Sequence, residues 1–377
     1  MNQIALVRCK RYDLDEIRAA VRRSVELSGG MQCYVPQGAR VLIKPNLLLA
    51  STPEEAVVTH PTVVQAVVEL VQEVGGKVTI GDSPIGPFTP ARLRRVYRRS
   101  GLQEVAQATG ATLNFDTEAV TQAHPTGHLI KRLDVSRYVT EADVIISLPK
   151  LKTHGFMRFT GAIKNLFGVI PGITKTGYHT KMATPERFAN MLVDVVTFVQ
   201  PALTIMDAVV GMDGDGPSAG RPFPIGAILT GTDSIALEVV ATELVGMDPL
   251  SVPVLRAAVQ RGLITGLLAD LELLGDSFDA ARVTGFMPPT PSADVSALPA
   301  WARSLGTRLL VTSPRATSAC TACGECERNC PVRAIHIKNG RAQMDLSTCI
   351  RCYCCHEICP EHAIELHQPW PGRIFVR

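Results

Sequence analysis

Nine of the eleven cysteines crowd between Cys320 and Cys359, leaving only Cys9 and Cys33 for the first 319 residues. Cys320, Cys323, Cys326, Cys330 and Pro331 recur 29 positions later as Cys349, Cys352, Cys355, Cys359 and Pro360, and Ala334 and Ile335 recur as Ala363 and Ile364. Each half spells C-x2-C-x2-C-x3-C-P, so the unit is duplicated. Thiolates at i, i+3 and i+6 can wrap one face of a cube, and the proline turns the chain so that the fourth cysteine points away; this spacing suits iron-sulfur chemistry. A pair of four-cysteine zinc sites is the alternative, although zinc knuckles separate their C-x2-C pairs by longer loops. So skewed a distribution describes a compact metal module in a reducing compartment, not a disulfide framework stapling the whole chain. Cys354, beside Cys355, falls outside the repeat and is expected to be inert filler. Cys9 and Cys33 are expected to be buried small residues.

A second group of chemically capable residues follows short β-branched runs. Arg40 to Ile43 leads into Lys44-Pro45-Asn46, Lys77 to Ile80 into Gly81-Asp82-Ser83, and Leu203 to Met206 into Asp207. Asp143 to Leu148 leads into Pro149-Lys150-Leu151-Lys152-Thr153-His154, and the polar stretch continues through Gly161, Lys164 and Asn165. Open parallel sheets hold ligands beyond the carboxyl ends of their strands, so these positions converge if the strands are parallel. Lysines offer point charges for a carboxylate or phosphate, Gly161 can admit a backbone amide to a ligand, and His154 can transfer a proton near neutral pH. Thr174 to Lys181, with Lys175, His179 and Lys181, is a candidate second basic loop or lid. Gly211 to Pro217 is an acidic turn whose aspartates do not match a calcium loop. Asp233 and Glu238 are expected as a helix cap and a solvent-facing residue.

The elements that must position these groups alternate strand with helix. Strands are expected at Ile4 to Val7, Arg40 to Ile43, Lys77 to Ile80, Thr112 to Phe115, Asp143 to Leu148, Leu203 to Met206 and Ile225 to Thr230. Asp13-Leu14-Asp15-Glu16 resembles a capping box. Pro61, Pro90 and Pro185 start helices running to about Val74, Ser100 and Val199, in positions where the missing N–H costs nothing. The fold expected is α/β, a mainly parallel sheet flanked by helices, followed by a small cysteine-rich α+β domain. Residues 1–286 form the first domain, 287–315 a proline-rich linker, 316–368 the cysteine module and 369–377 a tail. Within the module, Ile335 to Lys338, Asn339-Gly340 and Arg341 to Met344 spell a hairpin.

Composition narrows the function. Thirty-eight Lys+Arg against 35 Asp+Glu leave no basic excess, and 5% aromatic residues supply no stacking platform, so nucleic acid is not an expected partner. Charges and prolines break every apolar run before the roughly 18 residues a membrane span needs. The N-terminus enters a strand without an apolar signal segment, and the expected location is the cytoplasm. No G-x-G-x-x-G follows a strand, and no P-loop or C-x3-C-x2-C radical motif is present.

From Ala319 to Leu366 the duplicated motif resembles the bacterial two-cluster ferredoxin family. That resemblance implies two [4Fe-4S] clusters, one on Cys320, Cys323, Cys326 and Cys359 and one on Cys349, Cys352, Cys355 and Cys330, each cysteine before proline crossing to the other repeat's cluster. Val41-Leu42-Ile43-Lys44-Pro45-Asn46, Leu148-Pro149-Lys150-Leu151-Lys152-Thr153-His154, Thr160-Gly161-Ala162-Ile163-Lys164-Asn165 and Gly211-Met212-Asp213-Gly214-Asp215-Gly216-Pro217 look like hallmark segments of the domain-of-unknown-function 362 family. Its members often carry a ferredoxin-like C-terminal module, and the label implies no established reaction. More distantly, Ala142 to Ile146 with His154, Gly161, Lys164, Pro171 and Gly172 is similar to a catalytic-domain segment of the nickel-pincer lactate racemase family. Only His154 matches an active-site-like histidine, and the ferredoxin module departs from that family.

Together these readings lead to an expected iron-sulfur oxidoreductase that passes single electrons from two clusters to a small anionic substrate or cofactor on the α/β domain. His154 and Lys164 are the candidate catalytic residues. Lys44, Asn46, Lys150, Lys152, Asn165 and Asp207 are the candidate ligand-binding residues, and a redox partner protein is implied. Two alternatives stay open: an electron-transfer protein whose large domain only docks a partner enzyme, and an accessory protein that matures a cofactor or cluster.

Overall fold

A computed structural model describes residues 2–293, 295 and 298–375. Positions 294, 296 and 297 of the expected linker and 376–377 of the expected tail lie outside the described residues. All seven expected strands form, and they assemble with three more into one large sheet. Leu203–Asp213, Val144–Leu148, Arg40–Pro45, Lys77–Ile80 and Thr112–Leu113 lie side by side and parallel. Beyond Leu203–Asp213, the strand Arg221–Gly231 runs antiparallel to both its neighbours, the second being Gln3–Arg8. Glu272–Gly275 closes that edge.

Period-2 alternation sends successive residues to opposite faces, and both faces are covered. Ile43, Ile146 and Ile205 pack under Val63, Val67 and Val71 of the helix Pro61–Glu73 on one side. Leu42, Met206 and Leu229 pack under Phe188 and Leu192 of the helix Pro185–Val199 on the other. Each such side chain contributes roughly 1.5–3 kcal/mol on burial. The proline-started helices are held at their origins by side-chain caps, His60 accepting from the Thr62 amide, Thr89 from Arg92 and Thr184 from Arg187. Asp13 caps the helix Leu14–Leu27 as its sequence announces, and Asp233 likewise caps Ser234–Leu244.

Two stretches fold differently from expectation. Lys150–His154 is a strand, not a strand-end loop: Leu203–Asp213 is eleven residues long and outruns Val144–Leu148, and its free half pairs with Lys150–His154 through Asp207 and Met212. Arg158–Thr160 returns antiparallel beside it. The acidic turn is also tied down. Arg221 donates to both Asp213 oxygens at 2.7 and 2.9 Å, the Met287 amide donates to Asp213 at 2.9 Å, and Thr290 donates to Asp215 through its amide at 2.8 Å and its hydroxyl at 3.0 Å. These carboxylates anchor the start of the interdomain stretch.

The cysteine module begins inside that stretch, where Ser313–Ala316 pairs with Ile364–His367. The hairpin Ile335–Lys338 and Arg341–Met344 turns at Asn339 and Gly340, both at positive φ as a two-residue turn of this hand requires. The helix Ala300–Leu310 packs on the terminal helix Trp370–Phe375. His356 bridges module and sheet domain, its Nδ1 2.5 Å from the Ile364 carbonyl and its Nε2 2.9 Å from the Asp215 carbonyl. Ile358 and Cys354 bury against Ile85 of the α/β domain, so Cys354 fills space at the junction. Cys9 is buried, but Cys33 is exposed at a helix-end turn, with its thiol 3.0 Å from the Gly29 carbonyl. Among the described residues no helix is long and apolar enough to cross a membrane.

Candidate functional site

In the module, Cys320, Cys323, Cys326 and Cys359 line one small cavity. Cys330 instead neighbours Cys349 and Cys355, with Cys352 beside them. None of them is in a disulfide. The duplication extends to backbone conformation, because positive φ recurs at the same offset in Ala322 and Arg351, Gly324 and Tyr353, and Arg333 and His362. Left-handed residues of this kind turn amides inward. The Ala334 amide donates to Cys330 Sγ at 3.2 Å, Ala363 to Cys359 at 3.3 Å and Arg351 to Cys349 at 3.4 Å. Such N–H···S bonds compensate thiolate charge, so the donor set and its amide cradle fit an iron-sulfur cluster.

At the carboxyl ends of the parallel strands, a cavity of about 50 Å³ lies between the sheet domain and the module. This is room for a few waters or a small anion. Asn46, Lys164 and Asn165 line it, together with Asp82, Lys175 and His179. Lys175 and His179 sit one turn apart on the helix Gly172–Lys181, so the segment expected as a basic loop is a helix facing the cavity. Lys175 donates to the Ser83 carbonyl, and burial pulls its amine down to about 7, partly offset by Asp82. His179 stacks on Phe188 at 4.4 Å, and burial lowers it to about 3. Lys164 is partly exposed and has no hydrogen-bond or ion-pair partner among the described residues.

The remaining expected residues stand behind the cavity wall. Lys44 is fully buried and pairs with Asp82 at 2.7 Å. A Cβ at position 168 would lie 2.1 Å from Asp82 Oδ1 and 2.4 Å from Lys44 Nζ, so only glycine lets the chain cross this pair. Asn165 knots the strand ends together, accepting from Lys44 Nζ at 3.3 Å and Asn46 Nδ2 at 3.2 Å and donating to Ser147 Oγ at 3.0 Å. Lys152 donates to Asn46 Oδ1 and the Val57 carbonyl, both at 2.7 Å. With no carboxylate on it, burial and the nearby Lys164 and Lys150 pull its amine well below the ordinary lysine range.

Three expectations are corrected by these contacts. Lys150 and Asp207 pair with each other at 2.9 Å, both fully buried, and Tyr12 Oη completes the triangle at 2.6 Å from Lys150 and 2.7 Å from Asp207. Their charges neutralise one another and they do not line the cavity. His154 is fully buried, and its Nδ1 accepts from the Phe156 and Met157 amides at 3.0 and 3.2 Å. That places its proton on Nε2, and burial with Lys164 nearby lowers its pKa to about 4, so the ring is neutral near pH 7. Glu238 faces no solvent: it lies under the Ala162–Asn165 turn, accepts from the Ile163 amide at 3.3 Å, and burial raises it to about 8. Gly161 accommodates that carboxyl, since a Cβ there would come within 2.4 Å of it.

Sequence reasoning missed Glu357. It lies in the short helix Cys354–Ile358 of the module, yet it lines the strand-end cavity, with Oε1 3.1 Å from His154 Nε2. Burial opposes its ionisation, but His154 and Lys164 hold it below the usual carboxylate range. A signal was present. The 29-residue repeat sets Glu357 opposite Arg328, which is exposed and pairs with Glu325, so the charge reverses at one position inside C-x3-C.

Residues 41–243 match the family model described as domain of unknown function (DUF362), and residues 314–360 match that of a 4Fe-4S dicluster domain. The module is thus a 4Fe-4S cluster domain. A "thylakoid-associated protein" of Synechocystis sp. is 35% identical over 270 residues, covering 70% of this chain and 80% of that protein. Among solved structures, the lactate racemase apoprotein from Thermoanaerobacterium thermosaccharolyticum matches with a TM-score of 0.38 at 14% identity over 62% of this chain, and the match spans 55% of the racemase chain. With residues 41–243 matched by its model, more than half of the whole, the chain belongs to the DUF362 family and carries a C-terminal 4Fe-4S domain.

Proposed function

We propose that the protein is an iron-sulfur oxidoreductase of a reducing, cytoplasmic compartment. Two [4Fe-4S] clusters, one on Cys320, Cys323, Cys326 and Cys359 and one on Cys349, Cys352, Cys355 and Cys330, take single electrons from a redox partner protein. They deliver them to a small anion in the strand-end cavity. The observation that carries this reading is Glu357: the helix that bears Cys355 puts this side chain into the same cavity as Lys164, Lys175 and His179 of the α/β domain. Cluster and ligand thus share a wall. Lys164, with no partner of its own, contacts the anion; Lys175 adds a second charge when protonated; neutral His154 positions Glu357 from behind.

Anaerobically purified protein should carry about eight irons per chain. Formate, bicarbonate and phosphate are then titrated in turn into the dithionite-reduced protein while the cluster EPR signal is followed. At least one should perturb it, and more tightly as pH falls through about 7, where Lys175 takes up its proton. Lys164→Ala should weaken that effect about tenfold or more, the loss of a charge-assisted contact on the order of 2 kcal/mol, with iron content unchanged. If no anion perturbs the signal and native mass spectrometry finds none co-purifying, the protein is a carrier rather than an enzyme.

A further inference from the structure

A second cavity, of about 650 Å³, lies on the other side of Phe156. The Phe156 ring separates the two, 5.9 Å from the His179 ring on one side and 6.4 Å from the Tyr353 ring on the other. Its floor is made by the first turns of the helices Pro185–Val199 and Pro253–Gln260, and one wall by Cys349, Ile350, Arg351 and Tyr353 of the cluster module. Pro289, Thr290, Ser292, Ala293 and Val295 complete the lining. Nothing in the reading above uses this space.

Its charges are unbalanced. Arg158 lines the cavity, its buried Nε has no hydrogen-bond partner, and its guanidinium forms no ion pair among the described residues. The neighbouring charge is of the same sign, Arg256, whose own carboxylate, Glu186, is distant at 3.9 Å. Arg351 also leaves a buried Nε unpartnered, while its Nη1 reaches the Cys349 carbonyl at 3.3 Å. Arg158 further adopts φ +63°, a left-handed conformation unusual for a long side chain, at the residue that returns the chain beside His154. A desolvated guanidinium without a counter-charge is costly, and such a site is stabilised by whatever anion fills it.

Shape and lining select the anion. The volume lies in the range of organic-ligand pockets and far exceeds what an inorganic oxyanion fills. Phe156, Tyr353, Pro185, Pro253, Val295 and Ile350 supply apolar and aromatic wall. Planar guanidinium forks beside helix first turns suit two oxygens of a tetrahedral, dianionic phosphate group. We propose that this cavity binds an aromatic phosphate ester of mononucleotide size, its phosphate held by Arg158 and Arg256 and its ring set against Phe156 and the Cys349 loop. The site is independent of the strand-end cavity and of its occupant.

The test uses the full, cluster-loaded chain and equilibrium dialysis with flavin mononucleotide as the probe and riboflavin, which has the same ring without the phosphate, as its control. Flavin mononucleotide should bind with micromolar affinity and riboflavin about tenfold or more weakly, and inorganic phosphate should compete. Arg158→Gln should lower flavin mononucleotide affinity about tenfold or more while leaving riboflavin affinity, iron content and the cluster absorbance unchanged; Arg158→Lys should recover part of the loss. Lys164→Ala should leave this binding intact, which separates the two sites. Equal affinity for the two flavins, binding by neither, or full binding in Arg158→Gln protein would each overturn the proposal.

Discussion

Glu238 shows how a single side chain can be misplaced by an amphipathic reading and then dominate a pH response. Burial raises its carboxyl to about 8, whereas an unfolded chain keeps a glutamate near 4.5. Between those values the unfolded state has released its proton and the folded state has not. Stability is therefore fully present below about pH 4.5 and is lost as pH rises through about 8. Glu238→Gln keeps the acceptor for the Ile163 amide and removes the titration. From pH 5 to pH 8 the parent protein should lose on the order of 3 kcal/mol more than the variant in urea unfolding. Parallel stability profiles would mean that Glu238 ionises normally. The Lys150–Asp207–Tyr12 triangle works the opposite way, because each charge is met and the group is closed to ligand.

At the scale of elements, the duplicated cysteine unit is one backbone pattern used twice, with a charge reversal at one position inside C-x3-C. Positive-φ residues and amide-to-sulfur bonds recur at the 29-residue offset, so the two halves offer equivalent cradles. Cys359 lines the first trio's cavity and Cys330 lies near Cys349 of the second trio, so the proposed ligand sets cross. Cys330→Ser should therefore reproduce the EPR changes of Cys352→Ser, not those of Cys323→Ser. A match to Cys323→Ser would mean uncrossed ligation. The reversed charge is Glu357, and it is possible because the second repeat's helix is the one turned toward the sheet domain, beside Ile85 and Ser218.

Across the whole molecule, the module is docked, not tethered. Asp213 and Asp215 hold the start of the interdomain stretch, His356 bridges to the Asp215 carbonyl, Tyr353 Oη donates to the Thr312 carbonyl at 2.9 Å, and Glu357 closes the strand-end cavity. Cluster ligation is expected to order the helix carrying His356 and Glu357, since four of its flanking and internal cysteines belong to the proposed ligand sets and metal binding is coupled to folding. Anaerobic removal of iron should thus speed amide hydrogen exchange not only in the module but also at residues 162–169 and 172–181, which face Glu357. Exchange that changes in the module alone would mean that cavity and clusters are uncoupled.

Much of this was legible along the chain because it is local. Cysteine spacing, proline at helix starts and β-branched runs act through neighbours a few residues apart, and the helix Pro185–Val199 and the strand Lys77–Ile80 lie where those signals put them. The convergence of four polar strand ends followed from parallel order alone. Which of those polar groups remain available to a ligand did not. Lys150 is neutralised by a residue 57 positions away, His154 meets a carboxylate from the other domain, and Lys164 has no hydrogen bond or ion pair among the described residues and feels Glu357 only across the cavity. Residue type and spacing determined that charges would gather at this edge; only the tertiary structure decided which were compensated. The reason is physical: the cost of a buried charge depends on distant partners that a linear pattern does not contain.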